Sequence, residues 1–98
     1  MEIHSNVIYF KSEGWCYAKE FNGRKPNTVR LLTPEERTHV ELWYSQHLSE
    51  GKPLFIRVIN KDYEWENFER RLTDISCIGQ ILGYFVYIFS WEHKEEKR

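Results

Sequence analysis

Gly23-Arg24-Lys25-Pro26-Asn27-Thr28-Val29-Arg30 places three cations, a glycine, a proline and a hydroxyl within eight residues, and no acid occurs between Phe21 and Pro34. Pro26 fixes its own φ and excludes Lys25 from the helical region, so the chain leaves any preceding helix extended. Asn27 to Leu31 then reads as a short strand. Side chains alternate along a strand, which puts Thr28 and Arg30 on one face and Val29 and Leu31 on the other. A hydroxyl beside a guanidinium on one face is the arrangement of a strand lining a cleft.

Upstream, Glu13 to Asn22 reads as a helix with Ser12 as its N-cap and Gly23 at C′. Trp15, Ala18 and Phe21 recur at helical spacing and are expected to pack inward. Ile3 to Phe10 is rich in β-formers and reads as one strand. Its run Val7-Ile8-Tyr9-Phe10 is continuous, which predicts burial on both faces.

Downstream, Thr33-Pro34-Glu35-Glu36 is a helix start with Thr as N-cap, Pro at N1 and Glu at N3 closing a capping box. Val40, Trp43, Tyr44, His47 and Leu48 follow at amphipathic spacing, with Trp43 expected in the core, and Gly51 and Pro53 end the helix. Leu54 to Ile59 alternates as a strand. Trp65 to Ile75 reads as a long charged strand antiparallel to it. Gln80 to Trp91 reads as a final aromatic strand, after a turn at Gly79 and with a bulge or bend at Gly83.

The expected fold is therefore α+β: a small, curved, five-stranded sheet, or partly open β-barrel, with two helices. One domain spans 1–92, followed by a charged tail over 93–98. The 98 residues are 41% hydrophobic and 16% aromatic, enough for one core built mostly from rings.

A formal net charge of −1 removes any global basic field, so nucleic-acid contact would have to come from a local patch. Duplex binding through many phosphates is disfavoured on the same balance. Cys16 and Cys77 form no C-x-x-C pair and are expected as two reduced, packed thiols. The N-terminus has no apolar signal segment, and the run Ile81 to Phe89 is far shorter than the ~20 residues of a membrane helix. These features point to a cytoplasmic protein. His4, His39, His47 and His93 show no metal spacing, and no cofactor motif is visible, so neither metal nor cofactor is expected.

Gly23-Arg24-Lys25 followed by Thr28-Val29-Arg30, after a short strand and a helix, resembles the opening of ASCH domains in the PUA-like superfamily. The motif covers about eight residues, and the element order extends the likeness loosely over most of the chain. That resemblance implies a β-barrel fold that binds RNA or modified bases in a cleft. It also implies, by analogy with the N4-acetylcytidine amidohydrolases of the family, a catalytic role for Lys25 and Thr28 with a downstream glutamate. Pro26-Asn27 departs from a regular strand. Glu64, Glu66 and Glu69 are available as the glutamate, and the sequence selects none of them.

The first expectation is thus a binding module for a nucleotide, modified nucleoside or single-stranded RNA. Arg24, Lys25, Thr28 and Arg30 would line its site, with Trp65 exposed as a stacking surface. A second is a small amidohydrolase acting on an N4-acylated cytidine, with Thr28 as nucleophile and a neutral Lys25 as its base. A third is a protein-interaction domain, such as a small phage or prophage protein acting on a host factor, with exposed aromatics of the last strand as its contact.

Overall fold

Apolar side chains alternating with half-buried ones build most of the sheet in the computed structural model, which describes residues 1–93. The elements run β1 (Glu2–His4), β2 (Val7–Ser12), α1 (Gly14–Phe21), β3 (Asn27–Leu32), α2 (Pro34–Ser49), β4 (Phe55–Asn60), β5 (Asn67–Ile81) and β6 (Tyr84–Trp91). The fold is α+β. Its single mixed sheet has the order β1-β2-β4-β5-β6-β3 and does not close, because β1 and β3 remain its two edges. Of the tail expected over 93–98, only His93 falls within the described residues.

The strand count is six rather than five. The expected first strand is a hairpin in which His4 pairs with Val7 across Ser5-Asn6, with Ser5 at φ 56°. A two-residue turn of this kind needs positive φ, which serine adopts only when something holds it there. Here the Trp43 indole N–H on α2 donates to the Ser5 carbonyl at 2.8 Å.

β2 and β4 pair in parallel, with α1, β3 and α2 forming the crossover between them. β5 pairs with β4 through Asn67 to Arg71, then with β6 from Leu72 onward, with register shifts at Leu72/Asp74 and Cys77/Gly79. Such irregularities bend a strand and raise its twist. The turn between β5 and β6 is Leu82-Gly83, both at positive φ, and Gly79 lies inside β5. The expected roles of Gly79 and Gly83 are therefore exchanged. Two successive positive-φ residues make the turn whose twist matches its flanking strands, and glycine is needed there more than at a bulge.

Inward-facing Ile8, Phe10, Ile56, Val58, Phe68, Tyr87, Phe89 and Trp91 form the core on one face of the sheet. The rings of Phe10 on β2 and Phe89 on β6 lie 4.8 Å apart although two strands separate them in the sheet. The sheet must curl for that contact to exist. α2 covers this face with Val40 and Trp43 buried, as its spacing predicts, while Leu48 is exposed. Its capping box is complete: Thr33 Oγ1 accepts from the Glu36 N–H, and Glu36 Oε1 accepts from the Thr33 N–H.

α1 departs from expectation at its start and on its buried face. Ser12 belongs to β2. The first helical N–H, on Gly14, donates instead to Asp62 of the β4–β5 loop at 3.1 Å, where a Cβ on residue 14 would lie only 2.6 Å from that oxygen. Trp15 is 70% exposed and Phe21 is partly exposed, whereas Tyr17 and Glu20 are buried. The Lys19 ammonium over the Trp15 ring, 5.8 Å from its centroid, gives the outward indole a partner. Neither cysteine forms a disulfide, and Cys77 is exposed rather than packed. No helix among the described residues is long and apolar enough to cross a membrane.

Two consequences are measurable. Thr33→Ala removes an N-cap and should lower unfolding free energy by about 1 kcal/mol in urea titration; an unchanged midpoint would mean that the cap does not form. Burial, reinforced by the hydrogen bond to Glu41, pushes the Tyr87 hydroxyl up to about 12 against the opposing charge of Arg37. Because its folded value lies above the unfolded one, the stability Tyr87 contributes is complete below about pH 10 and is lost as pH rises through about 12. The tyrosinate absorbance lost in Tyr87→Phe should accordingly be a component that titrates near 12; loss of a component near 10 would contradict this burial.

Candidate functional site

Two backbone anchors fix the segment between α1 and β3. Gly23, at φ +84°, ends the helix, and the Lys25 N–H donates back to the Lys19 carbonyl at 3.1 Å. The Pro26 carbonyl then accepts from the Trp91 N–H at 3.1 Å, which joins the segment to β6. From there β3 alternates as expected. Thr28 is buried and Arg30 half-buried on the inner face, while Val29 and Leu31 are exposed on the outer one.

Arg30 spans the open side of the sheet. Its Nε donates to Thr28 Oγ1 at 3.0 Å, Nη1 to the Lys11 carbonyl at 2.8 Å and Nη2 to Ser12 Oγ at 2.6 Å. Its guanidinium carbon also sits 4.8 Å from the centroid of Phe10. One side chain on the edge strand β3 is thereby tied to β2, near the opposite edge. Burial pulls the Arg30 pKa below its ordinary value, partly offset by the charges of Glu20 and Cys16. A guanidinium stays protonated at neutral pH all the same. All three acceptors are uncharged, so the positive charge is not neutralised by its hydrogen bonds.

Beside Arg30 opens a cleft of about 320 Å³, lined also by Lys11, Lys25, Lys61, Thr28 and Glu20. Its four cations face two carboxylates, Glu13 and Glu20, so the lining is net positive in a chain of net charge −1. Lys61 pairs with Glu13 at 3.0 Å and Lys11 with Glu64 at 2.8 Å, both at the surface. The Glu64 contact raises the Lys11 pKa above its usual value and lowers that of Glu64. Exposed pairs of this kind contribute little to stability and can exchange partners with an anion. Lys11 and Arg30 also line a second, adjoining cavity of about 270 Å³, where Tyr9, Phe10 and Ile59 supply apolar surface.

Glu20 is the residue that sequence reasoning missed. It is 1% exposed, and among the described residues neither carboxyl oxygen has a hydrogen-bond partner. The Lys25 ammonium approaches Oε2 only to 4.0 Å. The available signal was its i, i+4 relation to Cys16, which lines the same cleft, whereas the expected aromatic spacing starts from Trp15, which points away from the core.

The sequence-predicted residues divide cleanly. Lys25, Thr28 and Arg30 line the cleft, whereas Arg24 and Trp65 line neither cavity. Arg24 is exposed, with its backbone N–H on Asn22 Oδ1. Trp65 is 76% exposed and packs against Tyr63 in the loop that carries Lys61. Glu64, Glu66 and Glu69 face Lys11, Asn60 and Arg57 respectively, outside the cleft. Among the described residues, Lys25 makes no hydrogen bond to Thr28, whose hydroxyl oxygen accepts from Arg30 instead. No group of His, Cys, Asp and Glu among them could hold a metal ion.

Replacing Arg30 by lysine keeps the charge and loses the fork. Arg30→Lys should lower unfolding free energy by about 2 kcal/mol or more in urea, because three acceptors lose a well-aligned charged donor. Wild-type stability in that variant would show that the bridge across the sheet contributes nothing. No protein-family model, curated protein or solved structure matches the chain, so its activity has to be argued from these residues.

Proposed function

We propose that this protein is a binding module for a nucleotide, a modified nucleoside or a short single-stranded RNA, held in the cleft beside Arg30. The observation that carries this reading is the convergence of Lys11, Lys25, Arg30 and Lys61 on one concave site in a nearly neutral chain. Cations gathered in a cleft recognise phosphate, and a groove with partly apolar walls suits a base. The neighbouring cavity, with Tyr9 and Phe10, offers room for a second base or for the sugar. A curled, unclosed sheet with its cleft beside the first helix also agrees with the resemblance to ASCH domains, which we retain as the proposed fold family.

The amidohydrolase reading has one specific support: Lys25, Thr28 and a glutamate, Glu20, line the same cleft. Against it stands the Thr28 hydroxyl, whose oxygen accepts a hydrogen bond from Arg30 and, among the described residues, donates to no base. A nucleophile needs its lone pair free and its proton directed to a base. The interaction-domain reading draws on the β5–β6 hairpin end, where Ile78, Ile81, Leu82 and Tyr84 are exposed.

These readings separate in a single titration followed by amide NMR, using cytidine, N4-acetylcytidine and a short single-stranded RNA, with each mixture chromatographed afterwards. Binding predicts shifts at Lys11, Lys25 to Arg30 and Lys61 without turnover, and an RNA affinity that falls with added salt. Conversion of N4-acetylcytidine to cytidine, abolished by Lys25→Ala, would establish the hydrolase instead. An unmoved cleft would refute both.

A further inference from the structure

The outer face of the sheet is divided in two. Where β2, β4 and the first half of β5 pair, Tyr9 aligns with Arg57, Arg57 with Glu69 and Phe55 with Arg71. That half carries the charges water favours, with Arg57 and Glu69 paired at 3.2 Å. The half built by β3, β6 and the rest of β5 does not. There Val29 lies opposite Ile88, Leu31 opposite Val86 and Ile81 opposite Tyr84, and alternation turns all six away from the core residues Tyr87 and Phe89. The sequence holds no charged residue between Asp74 and Glu92. Val29, Leu31, Ile78, Ile81 and Leu82 are each at least half exposed, and Tyr84 is exposed beside them. Neither helix covers this face. α2 lies on the core side, where Tyr87 donates to Glu41 and Arg37 stacks over Phe85, and α1 meets the core side through Tyr17 and Phe68.

We infer that this apolar half-face is the interface of a symmetric dimer, packed against the same face of a second copy. The six exposed side chains leave on the order of 600 Å² open on one copy, at the upper end for the largest patch of a monomer. Two copies face to face would remove on the order of 1,200 Å², the area at which stable interfaces begin. A two-fold axis sets the patch against itself, so apolar surface meets apolar surface and no charge within it is opposed. The second copy thereby supplies the layer that this half of the sheet lacks, in the ordinary manner of two packed sheets. Pairing through the free edge of β3 is a poorer route to a dimer. That segment carries Arg24, Lys25 and Arg30 with no acid between Phe21 and Pro34, and two such edges would bring like charges together. A bilayer is a poorer occupant too, because the apolar half-face offers no lysine or arginine for the headgroups.

The test is sedimentation velocity of the intact chain, alongside Leu31→Lys and Ile81→Lys. Both positions are exposed in one copy and lie outside the lining of the cleft, which Val29 shares. The unaltered protein should sediment as a dimer with a Kd of about 10 μM or tighter. Each lysine places two like charges in the symmetric contact and should weaken it at least about tenfold. A chain that stays monomeric at about 100 μM overturns the proposal, since that is about ten times the expected Kd. So does a dimer that both lysine variants form as tightly as the unaltered chain. A second measurement needs no variant: in a mixture of labelled and unlabelled wild-type chains, NOEs between copies should join Leu31, Ile78, Ile81 and Tyr84. NOEs that link the two β3 backbones instead would show edge pairing and overturn the face-to-face contact. A monomer that floats with phosphatidylcholine vesicles would assign the face to a bilayer and overturn it equally.

Discussion

The guanidinium of Arg30 is the constraint on which the rest of the structure depends. The sheet curls but does not close, and backbone pairing cannot join its open side because β3 pairs only with β6. An unpaired edge leaves backbone groups to find other partners. Arg30 supplies one on β2 by donating to the Lys11 carbonyl, and it fixes Ser12 and Thr28 in the same plane of hydrogen bonds. Phe10 and Phe89, packed beneath, set how tightly the sheet can curl, and the arginine holds it at that curvature. Lysine could not reproduce this, since its ammonium lacks the planar fork that reaches three acceptors.

The same residue gives the cleft its character. A charged group held half-buried by neutral acceptors keeps its field, and that field adds to those of Lys25, Lys11 and Lys61. Glu20 lies beside it, buried and, among the described residues, without a hydrogen bond to either carboxyl oxygen. Coulombic attraction does not replace directed donors when a carboxylate is removed from water. The site therefore combines a general attraction for anions with one specific hydrogen-bonding demand.

Much of this was legible from the chain, and the failures share a physical cause. The α2 capping box, the burial of Trp43 and the alternation of Thr28 and Arg30 against Val29 and Leu31 all rest on interactions within a few residues of sequence. The features that were missed depend on distant partners. The Ser5-Asn6 turn is pinned by Trp43, and the start of α1 is satisfied by Asp62. On α1, the buried face carries Tyr17 and Glu20, with Tyr17 meeting Phe68 on β5, a contact far away in sequence, while Trp15 stays exposed. Gly79 and Gly83 exchanged roles because either glycine could make the turn, and only the pairing of Ile81 with Tyr84 decides between them. Cations clustered in one short stretch revealed half the cleft; Lys11, Lys61 and Glu20 arrive from three other elements and leave no local trace.

The parallel pairing of β2 with β4 has a kinetic side. Val7 pairs with Phe55, so the long intervening chain must be closed into a loop for that ladder to form, and the loop-closure entropy is lost before the ladder's contacts offset it. The β4–β5 and β5–β6 ladders are local and carry no such burden. Arg30 can reach Ser12 only when β3 has joined β6 and β2 has joined β4, two non-local events that no single hairpin accomplishes. The cleft is thus a property of the completed chain rather than of any fragment. Folding intermediates built on the β4–β5–β6 meander would carry most of the aromatic core and, of the four cleft cations, only Lys61.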